Sequence, residues 1–144
     1  MASAQTTELF NCTPEQFYKI ISDYEKYPEF LQEVKGCQVL KTEGSKKLVE
    51  YTVAVVKNFK YSLWMNEDLE KKEIKWEFAG GDIFKTSTGS WKLVEEGGKC
   101  RATYAVDATF TMFVPGPIAK ALVSVNLPNM VSSYHKRVAE LFGR

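Results

Sequence analysis

From Lys99 to Phe113 the chain alternates without a break. Cys100, Ala102, Tyr104, Val106, Ala108, Phe110 and Met112 share one parity, while Arg101, Thr103, Ala105, Asp107, Thr109 and Thr111 share the other. A period of two with one dry and one wet face marks a strand of an antiparallel sheet that is backed by apolar matter on one side only. Shorter stretches of the same kind precede it. The pattern predicts strands at 5–11, 33–42, 46–57, 59–69, 72–79, 83–95 and 99–113. The breaks carry turn chemistry at Glu43-Gly44-Ser45, Gly80-Gly81-Asp82 and Glu96-Gly97-Gly98, with weaker breaks at Asn58 and Glu70-Lys71. Consecutive strands on short turns imply an antiparallel meander. Its dry face is read as Val49, Tyr51, Val53 and Val55; then Phe59, Tyr61, Leu63 and Met65; then Ile74, Trp76 and Phe78; then Gly89, Trp91 and Leu93. Phe84 is out of phase with Trp91, which predicts a bulge between them.

Helical signals lie on either side of the meander. Thr13, Pro14 and Gln16 form a capping-box start, followed by an apolar stripe of Phe17, Ile20 and Ile21 that stops near Tyr24. A second short helical piece, with Pro28 near its start, carries Tyr27, Phe30 and Leu31. At the other end a long helix is predicted over about 116–142, opened by Pro115-Gly116-Pro117 and kinked at Pro128. Its apolar face is Met130, Val131, Tyr134, Val138, Leu141 and Phe142. The result is an α+β domain spanning residues 1–144: a curved antiparallel sheet of six or seven strands around a long C-terminal helix, with two short helices after the first strand.

Composition limits the partners. Nineteen basic residues face eighteen acidic ones, so the basic surplus of a nucleic-acid binder is missing. Lys46-Lys47 and Lys71-Lys72 are read as solvated turn tips. Cys12, Cys37 and Cys100 are odd in number and scattered, unlike a disulfide framework or a zinc site, and they suit a cytoplasmic setting. The first residues lack the pattern of a signal peptide, and no apolar run approaches the ~20 residues of a membrane span.

The order of elements, together with three motifs, resembles the helix-grip fold of the START-like superfamily, and within it the polyketide cyclase/dehydrase and coenzyme Q-binding branch. The motifs are Asp23-Tyr24-Glu25-Lys26-Tyr27-Pro28-Glu29-Phe30-Leu31, Gly89-Ser90-Trp91-Lys92-Leu93 and Met130-Val131-Ser132-Ser133-Tyr134-His135-Lys136-Arg137. The family counterparts are Tyr-Pro-x-Phe, Gly-x-Trp and Met-Val-x-x-aromatic-x-Lys-Arg. The resemblance implies an apolar ligand, such as a lipid, quinone or polyketide, held between sheet and helix. It also implies two alternatives: a cyclase or dehydratase using the same cavity, and an interaction module resembling a ribosome-directed toxin.

The residues themselves give little support to catalysis. His135, the one histidine, is read as an edge residue of the last helix, and Glu67-Asp68 and Glu95-Glu96 as solvated strand ends. Asp107 falls on the wet face, and the glycine pairs are read as hairpin turns. No catalytic residue, metal site or cofactor is assigned. The hydroxyls of Tyr51, Tyr61 and Tyr104 have two readings: each meets a backbone carbonyl or water, or together they fix the polar head of a ligand. The expected ligand-binding set is these three with Leu63, Trp76, Val106, Ala108 and Phe110 from the strands, and Ile118, Leu122, Leu127, Met130 and Tyr134 from the helix. Ala102 and Ala108 are small where bulk is expected, and Trp91 and Phe30 are expected in the core. Residues 113–128, with prolines at both ends, are read as a gate able to make weak contact with a membrane surface. The function expected is binding or carriage of an apolar small molecule.

Overall fold

Thr13 starts the first helix as its sequence dictates. In the computed structural model, which describes residues 2–55, 57–81, 83–111, 114–120 and 127–143, the Thr13 N–H donates to Gln16 Oε1 at 2.9 Å and the Gln16 N–H to Thr13 Oγ1 at 3.1 Å. This capping box opens α1, Pro14–Ser22, which buries Phe17, Tyr18, Ile20 and Ile21. A 3₁₀ helix follows at Tyr24–Glu29. Pro28 falls near its end, not its start, and Phe30 and Leu31 lie beyond it. The reason is local: the turn is closed by Lys26 N to Asp23 O and Phe30 N to Tyr27 O, so the missing proline N–H is not needed.

The strands are β1 (Ala2–Phe10), β2 (Val34–Glu43), β3 (Lys46–Val55), β4 (Lys57–Asp68), β5 (Glu73–Gly81), β6 (Phe84–Glu96) and β7 (Lys99–Phe110). They form one antiparallel sheet in the order β1-β7-β6-β5-β4-β3-β2. β1 starts earlier than its sequence suggests because β7 pairs with it as far as Ala2↔Ala108. The bulge expected before Trp91 is the register shift between Phe84 and Thr86. Gly80 and Gly81 belong to β5 rather than to the hairpin turn after it.

Between β1 and β2 the chain crosses from one edge of the sheet to the other, carrying α1 and the 3₁₀ helix over the dry face. The C-terminal stretch is helical at α2 (Gly116–Lys120) and α3 (Leu127–Phe142), with residues 121–126 outside the described ones. Pro128 follows Leu127, the first described residue of α3, so the turn before it, on which the expected kink depends, lies outside the described residues. Tyr134 and Val138 are buried, whereas Leu141, expected on the apolar face, is 51% exposed. Phe30 is half-buried rather than a core residue. The main core joins Phe10, Phe17, Ile21, Tyr24, Val49, Ile74, Trp91 and Val138 under the helices.

Candidate ligand-binding cavity

The dry face does not close fully against the helices. A cavity of about 140 Å³ remains. Nine residues of the expected set line it: Tyr51, Tyr61, Leu63, Trp76, Tyr104, Val106 and Ala108 from the sheet, and Met130 and Tyr134 from α3. Phe110 does not line it: beyond the bulge its ring packs on Phe84 at 4.9 Å, in a second cluster with Ile83 and Ala108. Nor does Ile118, since α2 buries none of its residues. Leu122 and the side chain of Leu127 lie outside the described residues, as do residues 113 and 121–126 of the segment read as a gate.

Sequence reasoning missed part of the lining. Met65 shares the parity of Tyr61 and Leu63, and Ser87 shares that of Gly89 and Trp91, which were read on the dry face, so all three were legible on that ground. Phe84 comes in through the bulge, and Tyr27, Leu31 and Val34 through the crossing segment, which carries no strand parity to read.

The walls are aromatic. Tyr51 stacks on Tyr61 at 5.4 Å, Tyr61 meets Phe84 edge-on at 4.9 Å, and Trp91 touches Tyr104 at 4.9 Å and Tyr134 at 5.3 Å. Two close approaches need glycine. A Cβ on Gly81 would come within 2.9 Å of the Tyr61 Cα. A Cβ on Gly89 would overlap the Trp76 indole, which lies across it from β5, and would reach within 2.6 Å of the Ala105 carbonyl oxygen. Gly89→Ala is therefore expected to displace Trp76 and cost about 1–3 kcal/mol, as overpacking does. Urea unfolding with tryptophan fluorescence checks this, and an unchanged midpoint would contradict the placement.

No charged side chain lines the cavity among the described residues. The lining residues carry hydroxyls on five tyrosines and Ser87, and indole N–H groups on Trp76 and Trp91. Tyr27 donates to the Ile21 carbonyl, and Tyr51 to Met65 Sδ at 3.6 Å. For Tyr61 and Tyr104 no hydroxyl partner is found among the described residues, and Ser87 is a buried hydroxyl beside them in the lining. Burial holds Tyr51 and Tyr61 above their ordinary range and pushes Tyr104 up to about 12. All three are neutral donors at physiological pH.

Charges gather elsewhere. Lys47 and Glu67, expected to be solvated, pair at 3.2 Å with their side chains only 29% and 15% exposed, and Tyr24 donates to the same Glu67 oxygen at 2.6 Å. Parity explains the departure: Lys47 is in phase with Val49 and Tyr51, and Glu67 with Leu63 and Met65. His135 is exposed and rests on the Phe10 ring at 4.4 Å.

A family model described as polyketide cyclase / dehydrase and lipid transport matches residues 11–133. The chain belongs to this family. Among solved structures, a START superfamily protein from Mycobacterium smegmatis superposes with a TM-score of 0.83 at 22% identity, covering 96% of this chain and 98% of that one. The Zhui aromatase/cyclase from Streptomyces sp. R1128 gives 0.86 at 12% identity, covering 99% and 96%. At these identities the likeness speaks for the fold, which is the helix-grip fold of the START superfamily. Among curated proteins, the ribosome association toxin RatA of Escherichia coli (strain K12) is 24% identical over 147 residues, covering 99% of this chain and 90% of its own length. The family's description and the cavity agree on a hydrophobic small molecule as partner. No helix among the described residues is long and apolar enough to cross a membrane.

Proposed function

We propose that this protein binds and carries one apolar molecule of lipid, isoprenoid-quinone or polyketide type in the cavity between sheet and helices. The observation that carries this is an apolar void of about 140 Å³ lined by aromatic rings and uncharged hydroxyls, in a core that would otherwise be solid. An apolar cavity of roughly 150 Å³ accepts a single benzene ring, so the void in this form takes one ring or a short chain segment. Tyr61 and Tyr104 donate to an oxygen on that group. A cytoplasmic setting fits the scattered thiols.

The test is calorimetric titration with phenol, a single ring bearing one oxygen, with 1:1 uptake expected. Tyr61→Phe combined with Tyr104→Phe should weaken phenol binding by roughly thirtyfold, since two hydrogen bonds at about 1 kcal/mol each amount to about 2 kcal/mol. No uptake by the wild-type protein would overturn the reading. A cyclase or dehydratase reading is less well supported. General acid–base work needs a group titrating near the operating pH, and Tyr104 titrates near 12.

A second reading, attachment to ribosomal particles, is favoured by the full-length likeness to RatA. A net charge of +1 gives it little electrostatic help. Sucrose-gradient sedimentation with added protein separates the two: altered subunit association supports the second reading, and unchanged profiles remove it.

A further inference from the structure

The Lys47–Glu67 pair is a cost before it is a benefit. Both residues lie on the dry parity of their strands, and a partly desolvated ion pair repays that burial only when further hydrogen bonds complete it. Tyr24 supplies the completion. It is 2% exposed, its hydroxyl donates to Glu67 Oε2, and the Lys47 ammonium lies 5.7 Å from its ring centre. The group joins three places: β3 through Lys47, β4 through Glu67, and the 3₁₀ helix through Tyr24. Tyr18 of α1 is buried nearby, with the Glu67 and Asp68 carboxylates acting on its hydroxyl.

The 3₁₀ helix cannot hold its own shape. It has six residues, no side-chain N-cap and an internal proline. Among the described residues, its side chains reach the sheet by hydrogen bond at two points. One is Tyr24 on Glu67; the other is Glu25 accepting from the Val39 N–H of β2 at 3.2 Å, an exposed contact. Tyr27 of this helix and Leu31 just after it are walls of the cavity. The Tyr24 hydrogen bond is thus the buried link between this wall segment and the sheet, beside the bonds that Tyr27 makes to Ile21 of α1 and Glu29 to Arg137 of α3.

We propose that Tyr24, Glu67 and Lys47 form a clamp that positions the 3₁₀ helix and so sets how large a molecule the cavity admits. The proposal rests on the ligand-carrying reading for its second half only. The cavity of about 140 Å³ lies below the roughly 300–1,000 Å³ of common small-molecule sites, so a larger ligand needs a wall to move outward. With the clamp made, the wall carrying Tyr27 and Leu31 stays in. With it broken, that wall is held by packing, by the Tyr27 hydroxyl on the Ile21 carbonyl, by the exposed Glu25–Val39 hydrogen bond and by the exposed Glu29–Arg137 pair to α3.

Tyr24→Phe keeps the ring and removes the donor, and Glu67→Gln keeps the shape and removes the charge. Hydrogen exchange followed by mass spectrometry, on ligand-free protein, should show residues 24–31 exchanging roughly tenfold faster or more in both variants. Residues 84–110 should be unchanged, which reports that the fold is intact. The affinity of 2-naphthol relative to phenol should rise roughly threefold or more in both variants as the wall yields. Unchanged exchange over 24–31 in both variants overturns the clamp. Faster exchange with an unchanged affinity ratio overturns its positioning role. Uptake of neither probe by any of the three proteins sinks the ligand-carrying reading and the size-setting half with it, while exchange still decides whether the clamp holds the helix.

Discussion

Titrated upward from pH 8, the protein is expected to show no tyrosinate absorbance until it unfolds, and then to show it all at once. The sequence has seven tyrosines, and burial raises every one above the ordinary value of 10, with Tyr18 and Tyr104 near 12 and Tyr24, Tyr27, Tyr51, Tyr61 and Tyr134 higher. A raised folded-state pKa gives stability that is complete below the unfolded value and is lost as pH climbs through it, because the unfolded chain then releases protons that the native state must keep. Each tyrosine withdraws about 1.4 kcal/mol per pH unit above 10. Seven of them consume the ~5–15 kcal/mol stability of an ordinary domain within roughly one unit, so unfolding is expected near pH 11. Water reaching the half-buried Tyr61 and Tyr104 trims their share without changing the sign. Circular dichroism and tyrosinate absorbance should change together. A smooth rise in absorbance around pH 10 with the fold intact would show that these rings are not buried.

Trp91→Ala should cause the largest loss among single substitutions. Trp91 is 5% exposed and touches rings from three other elements: Phe17 of α1 at 5.4 Å, Tyr104 of β7 and Tyr134 of α3. Truncating a buried tryptophan costs about 3–5 kcal/mol, because the lost transfer energy adds to the void left behind. For a chain of this size that is a fall in melting temperature of roughly 10–20 °C. Phe30→Ala should cost clearly less, since Phe30 is half-buried and rests partly on the Arg137 guanidinium at 5.1 Å. Thermal melts of both variants decide the order, and a Trp91→Ala melt within a few degrees of wild type would remove the ring from the core.

Parity carried most of the fold. A strand that buries one face writes its register into the sequence, so β3 to β7, the bulge at Phe84 and most of the cavity floor were legible. The same parity also pointed Lys47 and Glu67 inward, but the rule that short charge runs at turns are wet outweighed it. That rule fails when a distant side chain completes the pair, and Tyr24 lies 43 positions from Glu67. Distance in sequence hid Tyr27 and Leu31 in the same way, since their place in the lining depends on where a crossing segment lands. The cavity itself had no sequence signal: a void is a mismatch between volumes, and Ala108 lines it while Ala102 is simply packed.

The pairing of β1 with β7 fixes an order of events. Strands β2 to β7 each find their partner next along the chain, so a growing polypeptide can zip them up as they are made. β1 cannot join, because Phe10 lies opposite Cys100, and that partner is synthesised about ninety residues later. At the usual ~5–20 residues per second, the first strand waits several seconds or more with Phe10 exposed. During that wait a fully apolar ring and an unpaired strand are open to other chains, so the opening segment is where chaperones and aggregation compete for the nascent protein.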